Sequence, residues 1–243
     1  MRSTILLILT LFVFASKSHS AVIIQGFING TQKVTGEILS VRTDPLSFLV
    51  KIREISGAEH ELGIGKVDTQ SLSRVAAWMA QTAREQARGI PQARLSSSEQ
   101  VSNKLVRRND EITREQSTIK QRTRTHLVTL SNTSNTVLKG VSFRRISKQL
   151  RSDSSQDKGR KPDPFWLMEP LATASVQPGG SKSYSFIPLY ESSEKSVLTK
   201  TIRSISGSSM GRQSDVTVRE VKIEVVYLLA FDEVGRLIHF AQF

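Results

Sequence analysis

The sequence predicts a mainly β protein, two small β-rich modules joined by a polar connector. Three observations carry this. Short runs alternating polar and apolar residues recur over 34–64 and 126–240, punctuated by Asp, Asn, Pro and Gly. Every Trp and Tyr, and every Phe after Phe14, lies in residues 21–87 or 123–243. Residues 81–124 have no aromatic and too few aliphatics to build a core of their own.

The chain opens with a leader. Arg2 supplies an early positive charge, an apolar run of about eleven residues covers 5–15, and Ser18-His19-Ser20 precedes Ala21. That is the layout of a secretory signal peptide over residues 1–20, cleaved after Ser20, because a bilayer-crossing helix needs roughly twenty apolar residues. The sequence therefore predicts an exported protein, periplasmic or extracellular. With no cysteine it is not expected to be a lipoprotein, and it forms neither disulfides nor thiolate metal sites.

Lys and Arg number 34 against 22 Asp and Glu, a net charge of +12, to which the leader contributes only Arg2 and Lys17. A basic exported chain favours acidic partners such as lipid headgroups, acidic polysaccharide or acidic proteins, and nucleic acid is not expected. The same charge also serves solubility alone.

In the first module, residues 21–87, Val34 with 37–41 and then 48–52 read as two strands joined across Thr43-Asp44-Pro45. Ser56-Gly57-Ala58 is a tight turn, and 59–64 alternate as a half-buried strand. Asp68 or Ser71 caps a helix whose apolar face carries Leu72, Val75, Ala76 and Met79. Trp78 is assigned to the core. His60 stands between Glu59 and Glu61, yet alternation places it on the opposite face from both.

Gly36-Glu37-Ile38 to Val41, Val50-Lys51-Ile52-Arg53, Gly57, Leu72-Ser73 and Ala77-Trp78 together resemble the first homology domain of the yeast Sla-type actin-patch adaptors. That family is a small SH3-like barrel, common also in exported proteins of planctomycete and verrucomicrobial bacteria. The resemblance covers residues 34–78 and departs at Arg74-Val75, where the family often has acidic residues. It implies a barrel offering a groove to an extended segment of another protein. The family's adaptor, cytoskeletal-protein and ubiquitin partners are not found outside a bacterial cell, and no binding residue is carried across.

The connector, residues 88–122, has Leu105, Ile112 and Ile119 every seventh residue and Val101 four before Leu105, as on one helix face, with Arg108 and Glu115 interrupting the seam. A solvated helix and a disordered linker both fit. Gly89, Pro91 and Ser96-Ser97-Ser98 stop the preceding helix.

Residues 123–243 read as an antiparallel β-sandwich, with strands at 126–130, 137–143, 172–176, 183–187, 218–231 and 237–240. The turn chemistry resembles immunoglobulin-like and fibronectin-type domains of bacterial envelope proteins. Arg144, Arg145, Lys148, Arg151, Lys158, Arg160 and Lys161 form a basic cluster running into a polar loop, followed by Phe165 and Trp166. These are the candidate partner-binding residues, the cations for acidic polymer or lipid and the aromatics as anchors. The plainer alternative is a solvated loop tempered by Asp153, Asp157 and Asp163, with the aromatics plugging the sandwich edge.

No phosphate loop, paired-histidine zinc motif, nucleophile elbow or calcium loop occurs, so no catalytic, metal or cofactor-binding residue is assigned. The sequence points to a non-enzymatic protein-binding, adaptor or scaffold protein of the bacterial envelope, using barrel groove and sandwich edges. The alternative is a binder of acidic glycan or membrane surface through 144–161, and a hydrolase with an unrecognised site is a third. A homodimer through an exposed sandwich edge is also open.

Overall fold

The computed structural model describes residues 21–44, 47–88, 90, 93–110, 115–154, 164–170, 173–203 and 210–243. Residues 1–20, expected to be a leader, and Lys158, Arg160 and Lys161 lie outside them. The chain is mainly β, and the described strands pair antiparallel throughout.

Strands β1 (Ile23–Ile28), β2 (Gln32–Asp44), β3 (Ser47–Arg53) and β4 (Glu59–Gly63) form a sheet in chain order. Alternation turns Ile24, Val34, Ile38, Phe48, Val50, Ile52 and Leu62 inward. Asn29 and Gly30 have positive φ, the conformation an Asn-Gly hairpin supplies at low steric cost. The expected closed barrel is corrected to an open sheet. After β4 the chain makes one 3-10 turn (Ile64–Lys66), and Val67 forms a single bridge to Gly26 before Asp68 starts the helix. One residue between turn and cap is too short for a closing strand.

Helix α1 (Thr69–Ala87) is capped by Asp68, whose side chain accepts from the Gln70 amide at 3.2 Å. Its first turn is tied to β1: the Gln25 amide donates to Ser71 Oγ at 3.0 Å, and Arg74 Nη1 donates to the Ile23 carbonyl at 3.0 Å. Val75, Ala76, Met79 and Ala83 are buried, and Trp78 is half-buried against the same core.

The expected connector is instead sheet. β5 (Ala93–Asp110) and β6 (Glu115–Asn132) pair over their whole length. Val101 and Leu105, spaced like one helix face, also share a strand face, so the four-residue spacing did not separate the two periods. Ser and Thr disfavour helix interiors, and the pairing of β6 with two later strands settles the conformation.

The remaining strands are β7 (Leu138–Asp153), β8 (Pro164–Pro170), β9 (Ala174–Val176), β10 (Ser181–Ser185), β11 (Leu189–Arg203), β12 (Met210–Phe231) and β13 (Leu237–Gln242). The large sheet runs β10-β6-β11-β12-β7-β8, with β5 on β6, β13 on β12 and β9 on β7. Val128 and Leu130 of β6 and Phe186 pack against Val141 and Phe143 of β7, Val226, Leu228 and Ala230 of β12, and Ile238 of β13 as a sandwich core. Farther out, β5, β6, β11 and β12 continue as a polar four-stranded arm.

β12 is buried on both faces near its end, which is why 225–231 is an unbroken apolar run. Val226, Leu228 and Ala230 face the sandwich core, whereas Tyr227, Leu229 and Phe231 join Ile24, Val75 and Met79 in a second core. The two modules therefore pack together. Trp166 stacks on Tyr227 with ring centroids 6.2 Å apart, Tyr227 meets Phe240 at 5.6 Å, and this aromatic floor supports the first module.

Candidate functional site

The basic residues expected to form one partner-binding surface are divided by the alternation of β7. Arg145 is only 1% exposed, pairs with Glu169 and lies over the Phe186 ring at 5.2 Å. It is an interior residue, so its assignment to the binding surface is corrected. Lys148, on the other face, is half-buried with Nζ 2.7 Å from Glu224. Arg144 is half-buried, and Arg151 is exposed over the Phe165 ring at 4.6 Å. Trp166 contacts the chain's own first module, and its indole lies where a Cβ on Gly65 would meet it at 3.2 Å. The expected anchor is thereby corrected to an internal contact.

A different file of cations emerges from β6. Lys120, Arg122, Arg124 and His126 are alternate residues and share one face. They are graded in burial: Lys120 is exposed, the Arg122 side chain is 49% exposed, Arg124 is buried and His126 is 0% exposed.

The inner end is a charge network between the sandwich layers. Arg124 Nε donates to Glu99 Oε1 at 2.5 Å, and His126 Nε2 is 3.2 Å from that oxygen but not aligned as a hydrogen bond. Arg145 Nη1 lies 3.5 Å from His126 Nδ1 and donates there when that nitrogen is unprotonated. Burial, reinforced by the Arg145 charge, pushes the His126 pKa down to about 4 against the opposing pull of Glu99. His126 is thus neutral at pH 7. Burial also lowers the Arg145 pKa, opposed by Glu169.

The outer end opens into a cleft of about 610 Å³ across β5, β6, β11 and β12. Register places Leu105, Lys120, Ser193 and Glu220 in one row across the four strands. The adjoining row holds Asn103, Arg122 and Glu191, with Lys222 beside them. Glu191 accepts from the Ile223 amide at 3.0 Å and lies 3.5 Å from Arg122 Nε, while Ser193 donates to Glu220 at 3.1 Å. Lys104, Lys120 and Lys222 pair with no carboxylate among the described residues. On the face of Leu105 the cleft therefore offers the spare ammonium groups of Lys120 and Lys222, an arrangement suited to an extended anionic chain.

Sequence reasoning placed Asn103 to Arg122 in a connector and opened the next strand only at His126, although the signal was present: Lys120-Gln121-Arg122-Thr123-Arg124-Thr125-His126 alternates at strand period. Two other grooves are seams of the fold. One of about 440 Å³ lies between α1 and β13, where His239 Nε2 is 3.2 Å from Ser97 Oγ and burial lowers the His239 pKa. The other, about 510 Å³, lies beside Gly36 and Arg53 of the first module, with Ile55 fully exposed. His60 lies 3.7 Å from Glu54, while Glu59 pairs with Lys51 and Arg53 and Glu61 with Arg42.

No protein-family model matches the chain, and no curated protein matches it. Among solved structures, an X-ray structure of a Northeast Structural Genomics Consortium target is similar at 8% identity and a TM-score of 0.21, over 54% of this chain and 86% of that one. A β-glucosidase from Listeria innocua in complex with gluconolactone is similar at 10% identity and a TM-score of 0.17, over 60% of this chain and 16% of that one. Likeness at this level carries no argument about function.

Proposed function

We propose that this is an exported, non-enzymatic binding or scaffold protein that takes an extended acidic segment of another protein on the open face of its arm. The observation that supports it is the cleft with its file of cations, in which Lys120 and Lys222 stand on the face that also carries Leu105. Four strands about 4.8 Å apart span roughly 15 Å, enough for about four or five residues of an extended segment.

Spare lysines also favour a second reading, an acidic polysaccharide or anionic membrane held by charge alone. A pull-down from envelope extract, with the purified protein and with a K120E/K222E variant at low and high salt, separates the two. The expected result is a defined protein that survives high salt on the wild type and is lost from the variant. Capture of only acidic polymer or lipid, abolished by salt, would install the second reading. Identical capture by both proteins would remove the cleft from consideration.

A further inference from the structure

Among the described residues, the arm ends at an edge that no strand covers. β5 pairs with β6 and with no other described strand, so one edge of its backbone lacks a ladder partner from residue 93 to 110. Natural edge strands are commonly blunted by proline, a bulge or extreme shortness. β5 is 18 residues long, contains no proline and keeps one unbroken register with β6, so the charges of Arg94, Lys104, Arg107 and Arg108 are the one blunting device it carries. It also exposes two large apolar side chains, Val101 and Leu105, at 41% and 54%. Both are odd-numbered, so they lie on the face that carries Asn103 and opens into the cleft.

We infer that this edge pairs with the β5 edge of a second copy, antiparallel about a two-fold axis through Asn103. The register follows from ladder geometry. Directly opposed residues in an antiparallel pair must both point their backbone groups at the partner or both point them away. In a strand paired with itself, opposed positions therefore have the same parity, and the axis passes through one residue.

The residue is selected by side chains. With the axis at Asn103, Val101 faces Leu105 of the second copy and Glu99 faces Arg107, and symmetry repeats each pairing. Glu99 uses Oε1 toward Arg124 and His126, leaving Oε2 for that contact. An axis at Ser102 would oppose Glu99 to Leu105 and Val101 to Asn103. An axis at Lys104 would bring two lysines face to face and set Val101 against Arg107. Only the Asn103 register combines apolar with apolar and acid with base.

Because paired residues share a face, the axis is perpendicular to the sheet and both clefts open on the same side. The two four-stranded arms become one continuous sheet, with a trough whose centre is the Val101 and Leu105 side chains of both copies and whose flanks are the two cation files. This deepens the proposed function by giving the acidic segment a two-fold receptor, and it rests on that reading only for the ligand. The pairing itself is tested without one.

Sedimentation velocity of the purified protein should show a dimer. V101K/L105K, which opposes lysines across the axis, should weaken association by on the order of a hundredfold. V101K/L105E should restore it, because position 101 of one copy faces position 105 of the other. Both side chains are already exposed, and circular dichroism checks that the variants fold. An independent arm uses the absence of cysteine: N103C should oxidise to a covalent dimer, since opposed Cα atoms about 4.5–5.5 Å apart suit a disulfide. K104C should not. A monomeric wild type, a dimer indifferent to V101K/L105K, or cross-linking at position 104 in place of 103 would overturn the inference. A monomer that still captures its partner through Lys120 and Lys222 would leave the proposed function standing, and a dimer that captures nothing would do the reverse.

Discussion

Replacing His126 by Gln should remove a specific pH dependence from the stability of the sandwich. The imidazole is fully buried between Glu99, Arg124 and Arg145, with the Phe243 ring 5.5 Å away, and its pKa falls from an ordinary 6.5 to about 4. Above pH 6.5 it is neutral in both folded and unfolded chains and contributes no slope. Between 6.5 and about 4 the unfolded chain takes up a proton that the folded chain refuses, so stability falls as pH falls. Below about 4 both states are protonated and the loss is complete. At about 1.4 kcal/mol per pH unit the total is about 3 kcal/mol. Gln cannot titrate, yet its amide can accept from Arg145 and donate toward Glu99. Urea unfolding of both proteins, followed by the fluorescence of Trp78 and Trp166 from pH 7.5 to 4, gives the difference curve that isolates this group from the carboxylates. The wild type should lose about 3 kcal/mol relative to H126Q across that window. Parallel curves would refute the argument.

Removing one partner from the neighbouring interior pair should be costly. R145A leaves Glu169 without its guanidinium and should lower stability by about 3–5 kcal/mol, whereas R145M/E169Q should recover much of that, as a double-mutant cycle in urea would show. Two glycines should behave in opposite ways on thermal unfolding. A Cβ at Gly36 would stand 2.6 Å from the Arg53 carbonyl oxygen and force β2 and β3 apart, so G36A should cost more than about 1 kcal/mol. Gly63 has φ of −60° and open space around it, so G63A should be neutral or stabilising by about 0.4–1 kcal/mol.

Where one face is buried and the other wet, the strands were legible in advance. Phe48, Val50 and Ile52 fix β3, Leu62 fixes β4, and the spacing of Val75, Ala76 and Met79 after Asp68 fixes the helix. β1 escaped assignment despite the Asn29-Gly30 hairpin signal beside it. The arm was hidden for a physical reason: with solvent on both faces, β5 and the start of β6 carry polar residues on both, and alternation of hydrophobicity disappears. β8 and β11 were missed as well: β8 is a seven-residue run bounded by Pro164 and Pro170, and β11 reads Glu-Ser-Ser-Glu-Lys-Ser over 191–196, polar on both faces. The candidate site suffered most. Arg144 to Arg151 looked like one patch because charge was counted along the chain, whereas a strand sends neighbours to opposite sides. Applied to Lys120 through His126, the same rule would have found the file.

The shared strand β12 has a consequence for the order in which the protein can assemble. Helix α1 and the first sheet emerge early in synthesis, but Tyr227, Leu229, Phe231 and Leu237, which complete their core, come from the far end of the chain. Until those residues arrive, the core that the first sheet shares with Val75, Ala76 and Met79 lacks one of its walls. Folding of the two halves is therefore tied to the synthesis of residues 227–237, and a fragment ending at residue 87 should be recovered as an aggregating or chaperone-held species.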